Sequence, residues 1–369
     1  MKIKLHNSHV LIGAKPTTAQ AINLPRVPPE ETFITVNNSE YVSYFCSLPE
    51  SRPSDNNADE ALVTDDKASR CLQLIKQLLV QIEQTGEKLP FDAPVFWLLP
   101  EFVESYIDET NKTDINNQHT FADFAKKLQQ ALPQLFSHPQ SQLFPFGRAS
   151  FPIALTTAKA LLEEGKANTV TLIGVDSLWH DIPQLFADKA LVSEISEQGI
   201  TPSEGAILTQ ISQTDKGISI DFIQNSVAPS KQRDVSVKQL FSESMAALAE
   251  IDQSIKNKEQ QNDQQSSPTT LSHLYLPGNG DETLQNSWLE AYFQLAGSVD
   301  GNTKICQSGI FTGELGCVTG LYNFLHIANS YEHKFLQGNT LQLEVSNSLH
   351  QGVVLYSYNN ENHGINHDE

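Results

Sequence analysis

Residues 147–177 read GRASFPIALTTAKALLEEGKANTVTLIGVDS, and this stretch limits the possible folds more than any other. After a turn containing small residues, Ile153, Leu155, Ala158, Leu161 and Leu162 recur at helical spacing and make one face apolar. Gly165 ends that helix, because glycine enters the left-handed conformation at a helix C-terminus without strain. The run Thr169–Gly174 is then rich in β-branched and apolar residues, the composition of a parallel strand buried on both faces. Such a strand needs helices on both sides of its sheet.

The remainder of the chain carries the same alternation. Short strands are predicted over 32–36 and 41–45, and a polar acidic loop over 50–66. Leu72, Leu74, Ile75, Leu78, Leu79 and Ile82 place a helix over 68–84, and 93–100 reads as a buried strand. A further helix is expected over 121–135. A turn at 201–206 leads into a strand over 207–211, and 218–223 alternates as a strand with one wet face. The second half repeats the theme. It has a helix over 237–255, a strand over 274–276, helices through Trp288–Phe293 and Leu321–Ile327, and strands over 341–345 and 353–356. Residues 256–270, KNKEQQNDQQSSPTT, read as a polar surface loop. Two passes of strand and helix imply a duplicated α/β architecture with a mainly parallel sheet, divided into residues 1–212 and 213–369.

Composition excludes several classes of function. The 369 residues carry 44 acids against 24 lysines and arginines, a net charge of −20. That surface repels phosphate backbones, so direct nucleic-acid binding is not expected. No apolar run is long enough for a membrane span, and the patch Val10–Ala14 behind Lys2 and Lys4 is too short for a signal peptide. The four cysteines, Cys46, Cys71, Cys306 and Cys317, form no C-x-x-C pair, so neither a metal site nor a cofactor is indicated. His363 and His367 lie in a polar tail. Unpaired thiols point to a reducing cytoplasm.

Several motifs in this order resemble a β-ketoacyl-[acyl-carrier-protein] synthase of the thiolase superfamily. The helix ending Leu162-Glu163-Glu164-Gly165 and the following Gly174-Val175-Asp176-Ser177 are similar to the family's helix and its A-G-G-x-D/E-S strand end. Pro202-Ser203-Glu204-Gly205-Ala206 resembles P-G-E-G-A, and Gly313–Gly320 resembles G-H-T-x-G-A-A-G. Leu274–Asp281 falls at the H-G-T-G-T position, and Ser346-Asn347-Ser348 at the start of N-S-F-G-F-G-G. The resemblance spans the whole chain and implies a thiolase-like duplicated α/β/α/β/α layered fold.

It also implies where chemistry should sit. The family uses a cysteine at a helix N-terminus, where the dipole favours thiolate, and two histidines that assist decarboxylation and stabilise the enolate. Here the thiol position falls on Arg148, the first histidine on Pro277, and the second on Gly313 or Thr312. The neighbouring lysine is replaced by Ser308 or a near neighbour. The chain reads as a catalytically degenerate member with no catalytic residue at these positions.

An arginine buried at that turn needs a partner. Asp281 and Glu314 flank the two lost histidine positions, and one of them is expected to pair with Arg148 and plug the old acyl site. Alternatively Arg148 binds a ligand carboxylate or phosphate, or lies on an exposed loop. The candidate pocket is therefore Arg148, Asp281, Thr312, Glu314 and His350, the last as a surrogate base.

The resemblance implies a non-catalytic, dimerising accessory or scaffold, acting as a homodimer or heterodimer. It would serve beside a ketosynthase as a chain length factor does, or beside a type VI secretion effector or adaptor. The competing expectation is an active 3-oxoacyl-synthase-type acyltransferase with a relocated nucleophile, Cys317 or Cys306. Against it, Cys317 would be a helix-interior thiol, and His326 lies about two and a half turns further along.

Overall fold

The computed structural model describes residues 1–15, 17–23, 32–48, 66–87, 92–101, 121–193, 198–229, 232–259 and 270–358. Residues 50–65 of the loop expected at 50–66, most of that at 256–270, and the tail with His363 and His367 lie outside the described residues, while Asp66 caps the helix that follows. In chain order the first half holds β1 (Lys2–Ile12), α1 (Thr18–Ile22), the hairpin β2 (Thr32–Val36) and β3 (Ser39–Ser43), and α2 (Lys67–Thr85). It continues with β4 (Val95–Leu98), α3 (Phe121–Ala131), β5 (Gln142–Phe144), α4 (Ser150–Glu163), β6 (Thr169–Ser177), α5 (Ile182–Ala187) and β7 (Glu204–Gln213). The second half holds β8 (Ile218–Val227), α6 (Arg233–Glu259), β9 (Leu271–Tyr275), α7 (Glu282–Leu289) and β10 (Lys304–Cys306). It closes with α8 (Gly309–Thr312), α9 (Thr319–Glu332), β11 (Asn339–Val345) and β12 (His350–Tyr358).

Ten strands follow the order β10-β9-β11-β12-β8-β1-β7-β6-β4-β5. The halves match strand for strand. Beside β5-β4-β6-β7-β1 stands β10-β9-β11-β12-β8, and in each the fourth strand alone runs opposite to the others, so the first three pair in parallel and the last two pairings are antiparallel. The two sets join where β1 meets β8, through the pairs Lys2↔Ser219 and Ile3↔Ile218.

The sheet is thus mixed, where strand and helix alternation suggested mainly parallel pairing. The connections give the reason. Between β4, β5 and β6 the chain crosses over through helices, which permits parallel pairing. Between β11 and β12 only residues 346–349 intervene, too few for a crossover, so that pair is antiparallel.

Alternation along each strand builds the layers. In β4, Phe96 and Leu98 enter a central core, while Val95 and Trp97 enter an outer one. The outer core takes the apolar stripe of α2 (Cys71, Leu74, Ile75, Leu78, Ile82) with Phe124 and Leu128 of α3. In β12, Val354 and Tyr356 face the central core, and Val353 and Leu355 face α6 and α7 on the far side. The central core is filled by α4 and α9, which contribute Phe151, Leu155, Leu321 and Phe324. Helices, sheet, α4 with α9, sheet, helices: this is the five-layer α/β/α/β/α arrangement.

Several helix ends differ from the periodicity. Pro133 cannot donate to a continuing ladder, so α3 stops at Ala131 and a short 3₁₀ turn spans Pro133–Phe136. The helix expected from Gly313 starts later. Gly313 has φ 66° and ψ −172°, a 3₁₀ turn covers Gly316–Val318, and α9 begins at Thr319. Helix α6 runs to Glu259, into the start of the stretch read as loop.

Candidate functional site

The two central helices begin in matching ways. A 3₁₀ turn, Gly147–Ala149, precedes α4, and another, Gly316–Val318, precedes α9. Both open on a glycine in the left-handed region, at φ +56° for Gly147 and +57° for Gly316. A Cβ on Gly316 would lie 2.0 Å from Asp176 Oδ2, so only glycine lets this turn approach the end of β6.

Arg148 occupies the first turn and is buried, with 7% of its surface exposed. Its guanidinium reaches Glu314, just ahead of the second turn. Nε donates to Glu314 Oε1 at 3.2 Å and Nη2 to Oε2 at 2.5 Å, while Nη1 donates to Asn347 Oδ1 at 2.8 Å. Glu314 is held from other sides by the Asn279 side-chain amide and by the Gly316 amide at 2.6 Å. Burial alone would lower the Arg148 pKa, but the Glu314 charge overrides it and the net shift is upward. Both partners are locked by several directional bonds, the arrangement a buried ion pair requires.

Beside the pair, Asp176 at the end of β6 accepts from the Cys317 amide at 2.9 Å and faces Lys67 Nζ at 3.2 Å. Lys67 also meets Asp181 at 2.9 Å. Burial would lower the lysine pKa, yet Asp176 and Asp181 raise it, so the ammonium stays charged. The Cys317 thiol donates to the carbonyls of Leu98 and Val175, at 3.3 and 3.1 Å. Burial, with Asp176 next to it, pushes its pKa well up. It is a protonated, structurally committed thiol.

These groups form the floor of an open cleft of about 820 Å³, roofed by residues 178–190, 198–200 and 279–283. Seven carboxylates line it (Glu101, Asp176, Asp181, Asp188, Asp281, Glu282, Glu314) against three cations (Lys67, Arg148, Lys189). Among the described residues no group of His, Cys, Asp and Glu is arranged to hold a metal.

The residues singled out in the sequence meet here only in part. Arg148 and Glu314 are in contact. Asp281 lines the cleft but does not pair with Arg148. Its carboxylate caps α7, accepting from the Thr283 amide at 2.8 Å, which satisfies a free donor at the helix start. Thr312 is fully buried and gives its hydroxyl to the Ser308 and Gly313 carbonyls, at 3.1 and 2.8 Å. His350 packs its ring on Phe146 with centroids 4.5 Å apart, and burial lowers its pKa. Pro277 offers only its carbonyl, to Trp288 Nε1 at 2.7 Å. A Cβ on Gly313 would meet Ser203 and the Thr201 carbonyl, both at 2.8 Å.

Sequence reasoning missed Asn279, Asn347, Lys67 and Glu101. Asn279 and Asn347 lie inside segments already matched to motifs, so the signal was present at segment level. Glu101 accepts from the Asn347 amide at 3.0 Å and the Ser348 hydroxyl at 2.5 Å, fixing the loop that presents Asn347. No local pattern marks Lys67 or Glu101.

No protein-family model matches this sequence, and no curated protein sequence does. Solved structures do. A ketosynthase in complex with its chain length factor from Xenorhabdus doucetiae superposes with a TM-score of 0.63 at 13% identity, covering 97% of this chain and 98% of that one. The ishigamide ketosynthase/chain length factor gives 0.61 at 11% identity, covering 97% and 99%. A ketosynthase from module 6 of the Bacillus subtilis bacillaene synthase gives 0.61 at 13% identity, covering 97% and 72%. With the layers, the strand order and the paired glycine turns, these likenesses identify the fold of this chain as the thiolase-like fold of the ketosynthases and chain length factors.

Proposed function

We propose that this chain is a non-catalytic ketosynthase-like protein that works as a dimerising accessory subunit, with a chain length factor as its nearest functional type. One observation carries the reading. The residue at the start of α4, where the resemblance puts a thiol, is Arg148, and it is tied at two points to Glu314. Its remaining polar neighbours include the side-chain amides of Asn279 and Asn347, and the positions the resemblance gives to histidines hold Pro277 and Gly313 or Thr312. An amide neither takes up a proton near neutral pH nor activates a nucleophile.

The electrostatics support the same reading. Seven carboxylates against three cations make the cleft hostile to the phosphate of a coenzyme A or carrier-protein thioester. Of the two thiols named for a relocated nucleophile, Cys317 is spent on two carbonyls, and burial raises the pKa of Cys306 away from thiolate.

Two of the similar structures carry a chain length factor in their names, and one is described as a complex with it. By that likeness the partner of this chain is a second thiolase-like chain, and β5, at one end of the strand order, offers the edge for pairing. The accessory role beside a type VI secretion effector or adaptor draws on the sequence resemblance alone.

The test is to express the chain with its genomic neighbours, purify it, and challenge it with acyl-carrier-protein and acyl-coenzyme A thioesters. Co-purification of an intact ketosynthase with no acyl adduct by intact mass supports the proposal. An acyl adduct on any cysteine of this chain overturns it. Co-purification of a secretion component in place of a ketosynthase would reassign the partner.

A further inference from the structure

A second cavity, of about 230 Å³, lies away from the cleft, between the outer strands of the second half and α9. Its walls follow from register. His273 and Tyr275 are two apart on β9, and Lys304 and Cys306 two apart on β10, so each pair shares one face. Parallel pairing sets Lys304 beside His273 and Cys306 beside Tyr275. Helix α9 closes the space, and Phe335 and Leu336, just after it, supply an apolar wall.

The state of the His273 ring is set by its neighbour. Ser272 has one hydroxyl proton, and it goes to the carbonyls of Gln337 and, at 3.0 Å, Asn339. Toward His273 Nδ1, 3.1 Å away, the Ser272 oxygen can therefore only accept. Burial, with the Lys304 charge second, lowers the His273 pKa to about 4, so the ring is neutral near pH 7. Its single proton is then on Nδ1, and Nε2 is a bare lone pair. The residue is 9% exposed, and among the described residues nothing donates to Nε2. Buried acceptors without a donor are uncommon in folded proteins, and this one borders open space.

We infer that this cavity binds a small phenol, whose hydroxyl donates to His273 Nε2 and whose ring lies against Phe335 and Leu336. The two polar neighbours select that group. A carboxylate or an ether has no proton to give Nε2, and an ammonium would be repelled by Lys304, which lines the same cavity. A hydroxyl donates to the imidazole and still has lone pairs for the Lys304 ammonium. A phenol, with a pKa of about 10, keeps its proton at pH 7 and adds a flat apolar body. The volume falls below the roughly 300–1,000 Å³ of drug-sized sites, which limits the ligand to a single ring.

The test compares phenol with anisole, its methyl ether, which has the same ring and no proton to donate. Saturation-transfer NMR on the full-length protein at pH 7 should detect phenol, with anisole binding roughly three- to tenfold more weakly, the effect of one hydrogen bond. His273→Leu should weaken phenol binding by a similar factor and leave anisole unchanged. No phenol signal, equal binding of anisole, or unchanged phenol affinity in His273→Leu would each overturn the inference. A second measurement uses the unaltered protein and so does not depend on the variant folding. Long-range proton–nitrogen correlation of the imidazoles at pH 7 should show a neutral ring protonated on Nδ1, whose Nε2 resonance moves upfield as phenol is added. The absence of such a ring, or an Nε2 resonance that stays fixed while phenol binds, would also overturn it. Because the cavity and the cleft share no lining residue, none of these outcomes bears on the proposed loss of catalysis.

Discussion

Arg148 and Glu314 stand 166 residues apart in sequence and meet through two hydrogen bonds of 3.2 and 2.5 Å. Each comes from the turn region ahead of one of the paired central helices, so the ion pair ties the two halves of the fold at their centre. The pair fills the position that the resemblance gives to a thiol and leaves the neighbouring cleft open.

Breaking this pair from one side should be costly. Arg148→Met leaves a buried carboxylate without its counter-charge, and Glu314→Leu leaves a buried guanidinium. Each is expected to lose about 3–5 kcal/mol in urea unfolding. The double variant should recover a large part of that loss, since apolar replacement of a whole buried pair is often near neutral. Additive losses in the double variant would contradict the coupling.

A thiol alone should not restore chemistry. In Arg148→Cys the sulfur would lie beside the Glu314 carboxylate, and among the described residues no histidine lines the cleft. A neighbouring negative charge and burial both raise a thiol pKa. Alkylation of that cysteine by iodoacetamide at pH 7 should be slower than that of an unstructured peptide thiol, and intact mass should show no transfer from an acyl thioester.

Glu344, on β11 behind the pair, supplies a pH signature. It is 1% exposed, its Oε1 accepts from Asn323 and Gln342 at 2.9 and 2.8 Å, and its Oε2 has no partner among the described residues. Burial raises its pKa from 4.5 to about 7. In this window the native state binds the proton that the unfolded chain has released, so stability falls as pH rises from about 4.5 to about 7 and levels off above it. Glu344→Gln removes the effect. The stability of the variant relative to wild type should grow between pH 5 and pH 8 by up to about 3 kcal/mol, read from denaturant midpoints. A pH-independent difference would contradict this.

Gly316→Ala tests the turn before α9. The residue sits at φ +57°, and the new methyl would lie 2.0 Å from Asp176 Oδ2, a group already engaged by Lys67 and the Cys317 amide. Strain and displacement of that carboxylate together should cost more than about 2 kcal/mol. Gly165→Ala, also at positive φ but with no atom within 4 Å of the added carbon, should cost less.

The proposed pairing through β5 predicts a particle of about twice the monomer mass in light scattering. If the required partner is a different chain, the dimer should form only on co-expression.

The sequence by itself determined the elements and their layering. Helical spacing in Leu74–Ile82, the dense apolar run of β6 and the glycines at 165, 313 and 316 record local backbone geometry and burial, which neighbouring residues dictate. Through the resemblance it also put Arg148, Pro277 and Gly313 or Thr312 where the family has its thiol and imidazoles, since that is a matter of residue identity. Tertiary structure alone decided which acid meets Arg148. Asp281 and Glu314 are equivalent as charges in a sequence, but Asp281 lies where it caps α7, and Glu314 points across the interface between the central helices. The antiparallel returns of β7 and β12, the acid-lined cleft, and the neighbourhood of His273, Lys304 and Cys306 were likewise invisible beforehand. Each depends on pairing between segments tens to hundreds of residues apart, and no local pattern encodes that register.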